Sequence, residues 1–477
     1  MLALAPSPDL TAAEQFALDL LVDLSRVVRF TGTADVVRIR VAGDGAPRPV
    51  PSLVGAGWGI TTSDGEVLVE RALLRMVVDV AGAAAEQRSD ARDRYGRVPS
   101  TENPLVAEGL EREPVVSQAA RALASTVRAA AGRRALAFAA PWPDGRRWAA
   151  SFTHDLDVVA GWPVFAALRI AELARKGDLA RAGRVLASAL GAVARRPVHR
   201  AITHLLAVEQ AHEIRSTWFI ICGDRTMGTW RAGDVTYDPA SDAAREIYRD
   251  LRAGRHEVGL HGSFATTDDG ALFASQRARL GELTSQPVHG VRQHFLKMRP
   301  GRTHKLMHTA GFAWDATCGF ADRNGFRLGV ADVLPSWNAE TQRTTGVALA
   351  PFAWMDRALS KYRGVEDPLA WVDDALDLAQ RCQAVEGMWS GIWHPNLVGA
   401  LGYPGAPEAY ASLLERMLSR RPFVAPLGDL VAWRAARAAV RAVAIGPDGA
   451  PVLVRGGTLT VPLETADARP LESHVDR

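Results

Sequence analysis

Ser151-Phe152-Thr153-His154-Asp155-Leu156-Asp157 is the stretch on which the reading of this chain turns. The apolar run 148–153 reads as a buried strand, and it leads into two acids two residues apart. In extended chain the side chains alternate, so Asp155 and Asp157 share one side while His154 points to the other. Two carboxylates at one strand end raise each other's proton affinity unless a cation or an arginine lies between them. Asp157 could instead cap a following helix, although a cap needs only one acid.

Outward from this stretch, strand-like runs alternate with helical patterns. The strands are expected at 148–153, 216–222, 257–260, 288–296 and 388–393, and the helices at 163–195, 198–213, 241–253, 271–283, 303–310 and 368–384. Such alternation implies a mainly parallel α/β sheet or barrel, with function at the carboxyl ends of the strands. Three further places then carry chemistry. In Arg255-His256-Glu257-Val258-Gly259-Leu260-His261 only His261 falls at a carboxyl end, and His256 reads as a buried structural histidine. In His289-Gly290-Val291-Arg292-Gln293-His294, period two puts Arg292 and His294 on one face, able to orient a carboxylate and bind a metal. Trp389-Ser390-Gly391-Ile392-Trp393-His394 ends in a histidine suited to acid–base work. Its two tryptophans either stack on sugar rings or belong to the core.

Before the stretch, Pro141-Trp142-Pro143-Asp144-Gly145 marks a domain entrance. Residues 1–140 read as an N-terminal α+β region of unstated role, with helices at 12–30, 67–85 and 117–131, a strand at 36–41, and a polar surface connection at 86–118. The barrel domain is expected over 146–437. Residues 438–477 form a tail, with short strands at 441–445, 451–455 and 459–462 making a small β-meander.

The 477 residues are 48% hydrophobic and 23% charged, with a net charge of +3, which excludes a disordered chain. No apolar run approaches the ~20 residues of a membrane span. No basic block points to nucleic acid. Three separated cysteines, Cys222, Cys318 and Cys382, make neither a disulfide framework nor a zinc knuckle. Pro6, Pro8 and Asp9 interrupt the first residues, so the expected address is cytoplasmic.

In order along the chain stand the acid pair, a strand-end histidine, an arginine strand and a terminal strand histidine. That order resembles the polysaccharide deacetylase (NodB-homology) family, especially a divergent bacterial branch opening with Thr-His-Asp-x-Asp. The strand Ser216-Thr217-Trp218-Phe219-Ile220-Ile221 looks like the family's second strand. Gly311-Phe312-Ala313-Trp314-Asp315 looks like the segment after its arginine motif, and residues 320–329 extend the likeness. The resemblance covers about residues 146–435 and implies a distorted (β/α)7 barrel.

Carried over, it implies Asp155 as catalytic base, Asp157 as metal ligand, Arg292 orienting the base and His394 as general acid, with the two acids' roles open to exchange. His261 matches the first histidine of the paired-histidine metal motif. Its partner position, four residues on, is Ala265, so His294 is expected to supply the missing ligand. Asp315 or Asp322 would hold Arg292, and Trp389 and Trp393 would contact substrate. The implied cofactor is one divalent metal ion, zinc first, with cobalt, nickel or manganese also accepted. It would polarise an acetyl carbonyl and acidify water while Asp155 takes the proton. The implied reaction removes acetyl groups from N- or O-acetylated sugars. The alternatives are an inactive carbohydrate-binding relative and a hydrolase of non-sugar amides.

Overall fold

The structure, a computed structural model, describes residues 2–4, 9–32, 35–44, 46–132, 134–159, 161–193, 195–445, 451–454, 459–465, 469–471 and 474–475. Its main sheet has ten strands. In chain order these are β1 (Ala149–Leu156), β2 (Thr217–Ile221), β3 (Glu257–Gly262), β4 (Gly290–Gln293), β5 (Trp314–Asp315), β6 (Leu334–Asn338), β7 (Arg343–Leu349), β8 (Trp354–Met355), β9 (Met388–Ile392) and β10 (Phe423–Val424). In space they run β6-β7-β5-β4-β3-β2-β1-β9-β8, with β10 also on β1. Every pair is parallel except β6–β7. The sheet curls into a half-barrel, and among the described residues no pairing joins β6 to β8.

The sequence dictates this layer by burial. All eight residues of β1 are buried, as expected of a parallel strand covered on both faces. Trp148, Trp218, Trp314, Trp354, Trp371 and Trp389 are fully buried, each withdrawing on the order of 150–250 Å² from water. The outer helices carry narrow apolar stripes. In Asp242–Ala253 the buried residues are Ala244, Ile247, Tyr248 and Leu251, the spacing of one helix face. Asp269 and Asp367 accept the backbone N–H groups of Leu272 and Leu369 at 3.0 and 2.9 Å, fixing where two helices start.

Several elements differ from expectation. The stretch 163–195 is two helices, Trp162–Arg175 and Leu179–Ala192, separated where Gly177 takes a φ of 80° that ends the first. The expected helix 67–85 begins instead as the strand Glu66–Glu70, because Val67 and Val69 alternate inward between two partner strands. Helices Ala406–Leu418 and Leu427–Ala439 were not foreseen. The segment 86–118 is no surface connection. Asn103 is buried and donates to Glu86 and to the Arg327 carbonyl at 2.7 and 2.9 Å, while Arg327 pairs with Glu86 at 2.6 Å. This strap ties the N-terminal region to the barrel. Phe16 stacking on Trp337 at 4.8 Å does the same deeper in the core.

A second sheet joins the two ends of the chain. Arg441–Ile445 and Pro451–Val454 form the expected antiparallel pair, and this pair adds in parallel to Arg29–Phe30 of the N-terminal sheet. The third tail strand lies at Leu463–Glu464 rather than 459–462, and it pairs with Phe138–Ala139. Pro462 has no N–H to give a ladder. Among the described residues no helix is long and apolar enough to cross a membrane.

Candidate metal centre and active site

The carboxyl ends of β1, β3, β4 and β9 converge on one pocket, lined by Asp155, Asp157, His261, His294 and His394. Asp155 is the last inward-facing residue of β1. Its Oδ1 accepts from Arg292 Nη1 at 2.7 Å, and the same nitrogen donates to Thr153 Oγ1 at 3.0 Å. Arg292 is fully buried; its Nε donates to the Ala316 carbonyl at 3.0 Å and its guanidinium lies 4.1 Å from the Phe219 ring centre. Burial would lift the Asp155 carboxyl, but the Arg292 charge, with His261 and His394, holds it below the usual carboxylate range.

Asp157 follows β1 and caps no helix, since the next one opens after Gly161. Its Oδ1 is buried without a hydrogen-bond partner among the described residues. It lies 3.4 Å from His261 Nε2 and 3.5 Å from His294 Nε2. Each ring is fixed from behind: His261 Nδ1 meets the Arg292 carbonyl at 2.8 Å, and His294 Nδ1 meets Asp234 at 3.3 Å. Those acceptors anchor Nδ1 of each ring and leave both Nε2 atoms facing Asp157. Asp157, His261 and His294 each offer a ligand atom, all within 4.8 Å of one another. A carboxylate oxygen between two imidazole nitrogens fits a divalent cation, and the acceptors behind the rings are the usual support of such ligands.

The expected strand 288–296 stops at Gln293. His294 opens a tight turn in which Phe295 and Leu296 both have a φ of 56°, a conformation non-glycine residues hold only when their surroundings compel it. The turn still leaves Arg292 and His294 directed at the same pocket. Ala265 is exposed on the short helix after β3.

His394 follows β9. Asp356, fully buried beyond β8, accepts from both the His394 backbone N–H and Nδ1 at 2.6 Å. The free Nε2 stands 3.9 Å from Asp155 Oδ2 and 3.7 Å from Asp157 Oδ2. Burial would lower the imidazole pKa, but Asp356 reverses this and holds it above its ordinary value. Asp234 and Asp356 were missed from the sequence. Asp356 sits just beyond the apolar Trp354–Met355 strand, the same signal that singled out Asp155; Asp234 has no comparable cue.

Four expected residues do not join the site. Trp389 and Trp393 are 0% and 2% exposed and pack with Trp354 in the core, so neither offers a face to a sugar. The aromatic walls of the pocket are Phe295 and Tyr362 instead. Asp322 accepts from Ser100 at 2.8 Å, away from Arg292. Asp315 makes no ion pair with Arg292 but adds to the negative field around it. It sits in an enclosed knot with His304 and Cys318, whose thiol burial keeps well above its ordinary pKa.

No protein-family model and no curated protein matches the sequence. Solved structures to which the chain is similar include polysaccharide deacetylases of carbohydrate esterase family 4. One, described as a candidate polysaccharide deacetylase from Mycobacterium smegmatis, is 18% identical with a TM-score of 0.42, over 62% of this chain and 93% of that one. The chitin deacetylase of Colletotrichum lindemuthianum is 12% identical with a TM-score of 0.31, over 60% and 87%. A family 4 pseudoenzyme from Bacillus anthracis is 10% identical with a TM-score of 0.28, over 59% and 65%. With every one of these TM-scores below 0.5, the strand order itself defines the fold.

Proposed function

We propose that this chain is a divergent polysaccharide deacetylase that hydrolyses the acetamide C–N bond of an acetylated saccharide with one divalent cation. The observation that carries this reading is the orphaned Asp157 Oδ1 between the Nε2 atoms of His261 and His294. Asp157, His261 and His294 would hold the ion, and one oxygen with two nitrogens suits zinc. Such an ion supplies Lewis-acid polarisation of the acyl oxygen.

The remaining work falls to the chain. Asp155, oriented by Arg292, accepts a proton from the attacking water as its oxygen bonds to the acyl carbon. His394 enters protonated on both nitrogens, a state that Asp356 favours. From Nε2 it donates a proton to the amine nitrogen as the C–N bond breaks, releasing acetate and a free amino sugar. Ala265, where the family's second metal histidine is expected, favours a second reading as an inactive carbohydrate-binding relative.

Elemental mass spectrometry and acetate release decide between them. About one equivalent of metal in the wild type, lost in His261→Ala, together with acetate release from an N-acetylated oligosaccharide, supports the enzyme. No metal after incubation with zinc or cobalt overturns it.

A further inference from the structure

The pocket above the acid pair opens past two cations that lack an ion-pair partner among the described residues. Arg357 and Lys361 line both this pocket and an adjoining groove that runs past Phe165, Asn396 and Tyr403. Arg357 donates to Tyr403 Oη at 3.0 Å, and the Lys361 ammonium faces the rings of Phe295 and Tyr362 at 5.0 and 5.4 Å. Neither forms an ion pair among the described residues. Arg97, from the N-terminal strap, lines the same pocket but is matched by Asp93 at 2.6 Å.

Against burial, Asp356 and Asp157 attract Arg357 and raise its pKa, but neither stands within ion-pair distance of Arg357 or Lys361. Asp155 is taken by Arg292, Asp356 by His394, and Asp157 by the ion the site would hold. Burial, then repulsion from Arg357, Arg94 and Arg97, outweighs the attraction of Asp157 and pushes the Lys361 pKa down to about 8. The chain as a whole carries only +3, so this concentration is local. Across the groove, Asn396 Oδ1 and Arg169 Nε are buried without hydrogen-bond partners among the described residues, and the groove's one carboxylate among them, Glu172, is paired with Arg169 and Lys176 at 2.7 Å.

We infer that the substrate is an anionic saccharide whose phosphate or carboxylate seats between Arg357 and Lys361, next to the acetylated sugar over Asp155 and Asp157. The pocket over the acid pair would seat the acetylated sugar, and the groove that shares Arg357 and Lys361 with it would take the charged neighbour. A guanidinium pairs with an anion in a planar fork and an ammonium as a point charge, so together they serve either anion.

The inference rests on the deacetylase reading for the acetylated half of the substrate. Calorimetric titration of the full, metal-loaded chain tests it with three probes: a neutral N-acetylhexosamine, its phosphate ester, and an N-acetylated uronic acid. At least one charged probe should bind roughly 10-fold more tightly than the neutral one. The Arg357→Gln/Lys361→Gln variant should bring all three within about two-fold, while Lys361→Arg keeps the preference. Which charged probe leads distinguishes phosphate from carboxylate. Equal binding of neutral and charged probes, or a preference that survives the double substitution, overturns the inference. Acetate release from neutral sugars without charge preference would sink it and leave the deacetylase standing. Charge preference without acetate release would do the reverse.

Discussion

Adjacent residues of one strand, His154 and Asp155, enter two clusters of histidines and carboxylates that differ in one respect. On the outer side of β1, His154 is bonded at both ring nitrogens, to the Trp393 carbonyl and to Glu209, each at 2.9 Å. Glu209 also accepts from Ser216 at 2.7 Å and from Tyr410, and Ser216 meets His256. Each of these groups has a partner, and the cluster is sealed. On the inner side, Asp157 keeps a buried oxygen with no hydrogen-bond partner among the described residues, and three Nε2 atoms point at the acid pair. The same residue types make a structural knot where their bonds close and a candidate reaction centre where they are left open.

One acid-to-amide change on each side puts this contrast to the test. Asp157→Asn should abolish metal binding and cut acetate release by at least ~10³-fold, with the metal-free forms of both proteins folded alike by circular dichroism. Retained metal would make the open cluster as structural as the closed one. Glu209→Gln should do the opposite, costing about 3–5 kcal/mol of unfolding free energy in urea titrations by breaking a buried charged network. Metal content should be unchanged, and a small stability loss would show that the knot is not held by its charge.

A third acid, Glu257 at the start of β3, sharpens the picture at the amino end. Burial lifts its carboxyl from 4.5 to about 7, against the help of the Gly428 N–H and Thr217. The folded chain holds this proton more tightly than the unfolded one. Its contribution is therefore fully present below pH 4.5 and lost as pH rises through about 7. Glu257→Gln should match the wild type near pH 4.5 and exceed it by up to about 3 kcal/mol at pH 8. A pH-independent difference would remove the assignment. The smallest effect belongs to Asp356→Asn, which should lower kcat ~10–100-fold through loss of the His394 support, with metal content intact. Acetate release unchanged across pH would show that His394 needs no such partner.

Much of this was legible in the sequence because acids and histidines directly after apolar runs mark strand ends. That signal found Asp155, Asp157, His261 and His394, and it separated His256 from them. Asp356 carries the same mark on a strand of only two residues, too short to read as one. Arg97 reaches the pocket, and Asp234 the back of the His294 ring, through loops, which no periodicity announces. Trp389 and Trp393 show the limit of strand patterns: a parallel strand is buried on both faces, so alternation cannot say which side meets a ligand.

The pairing of Arg29–Phe30 with Arg441–Ile445 has a consequence for the order of events during synthesis. The backbone of Thr31 gives its hydrogen bond to the Ala442 carbonyl at 3.0 Å, across a sequence separation of 411 residues. At ~5–20 residues per second, the ribosome leaves that donor waiting roughly 20–80 s. Throughout that interval the N-terminal sheet presents an open edge, the kind of surface on which a nascent chain mispairs. A stalled chain ending before residue 441 should accordingly be cleaved by protease near Phe30, and release of the full chain should protect it.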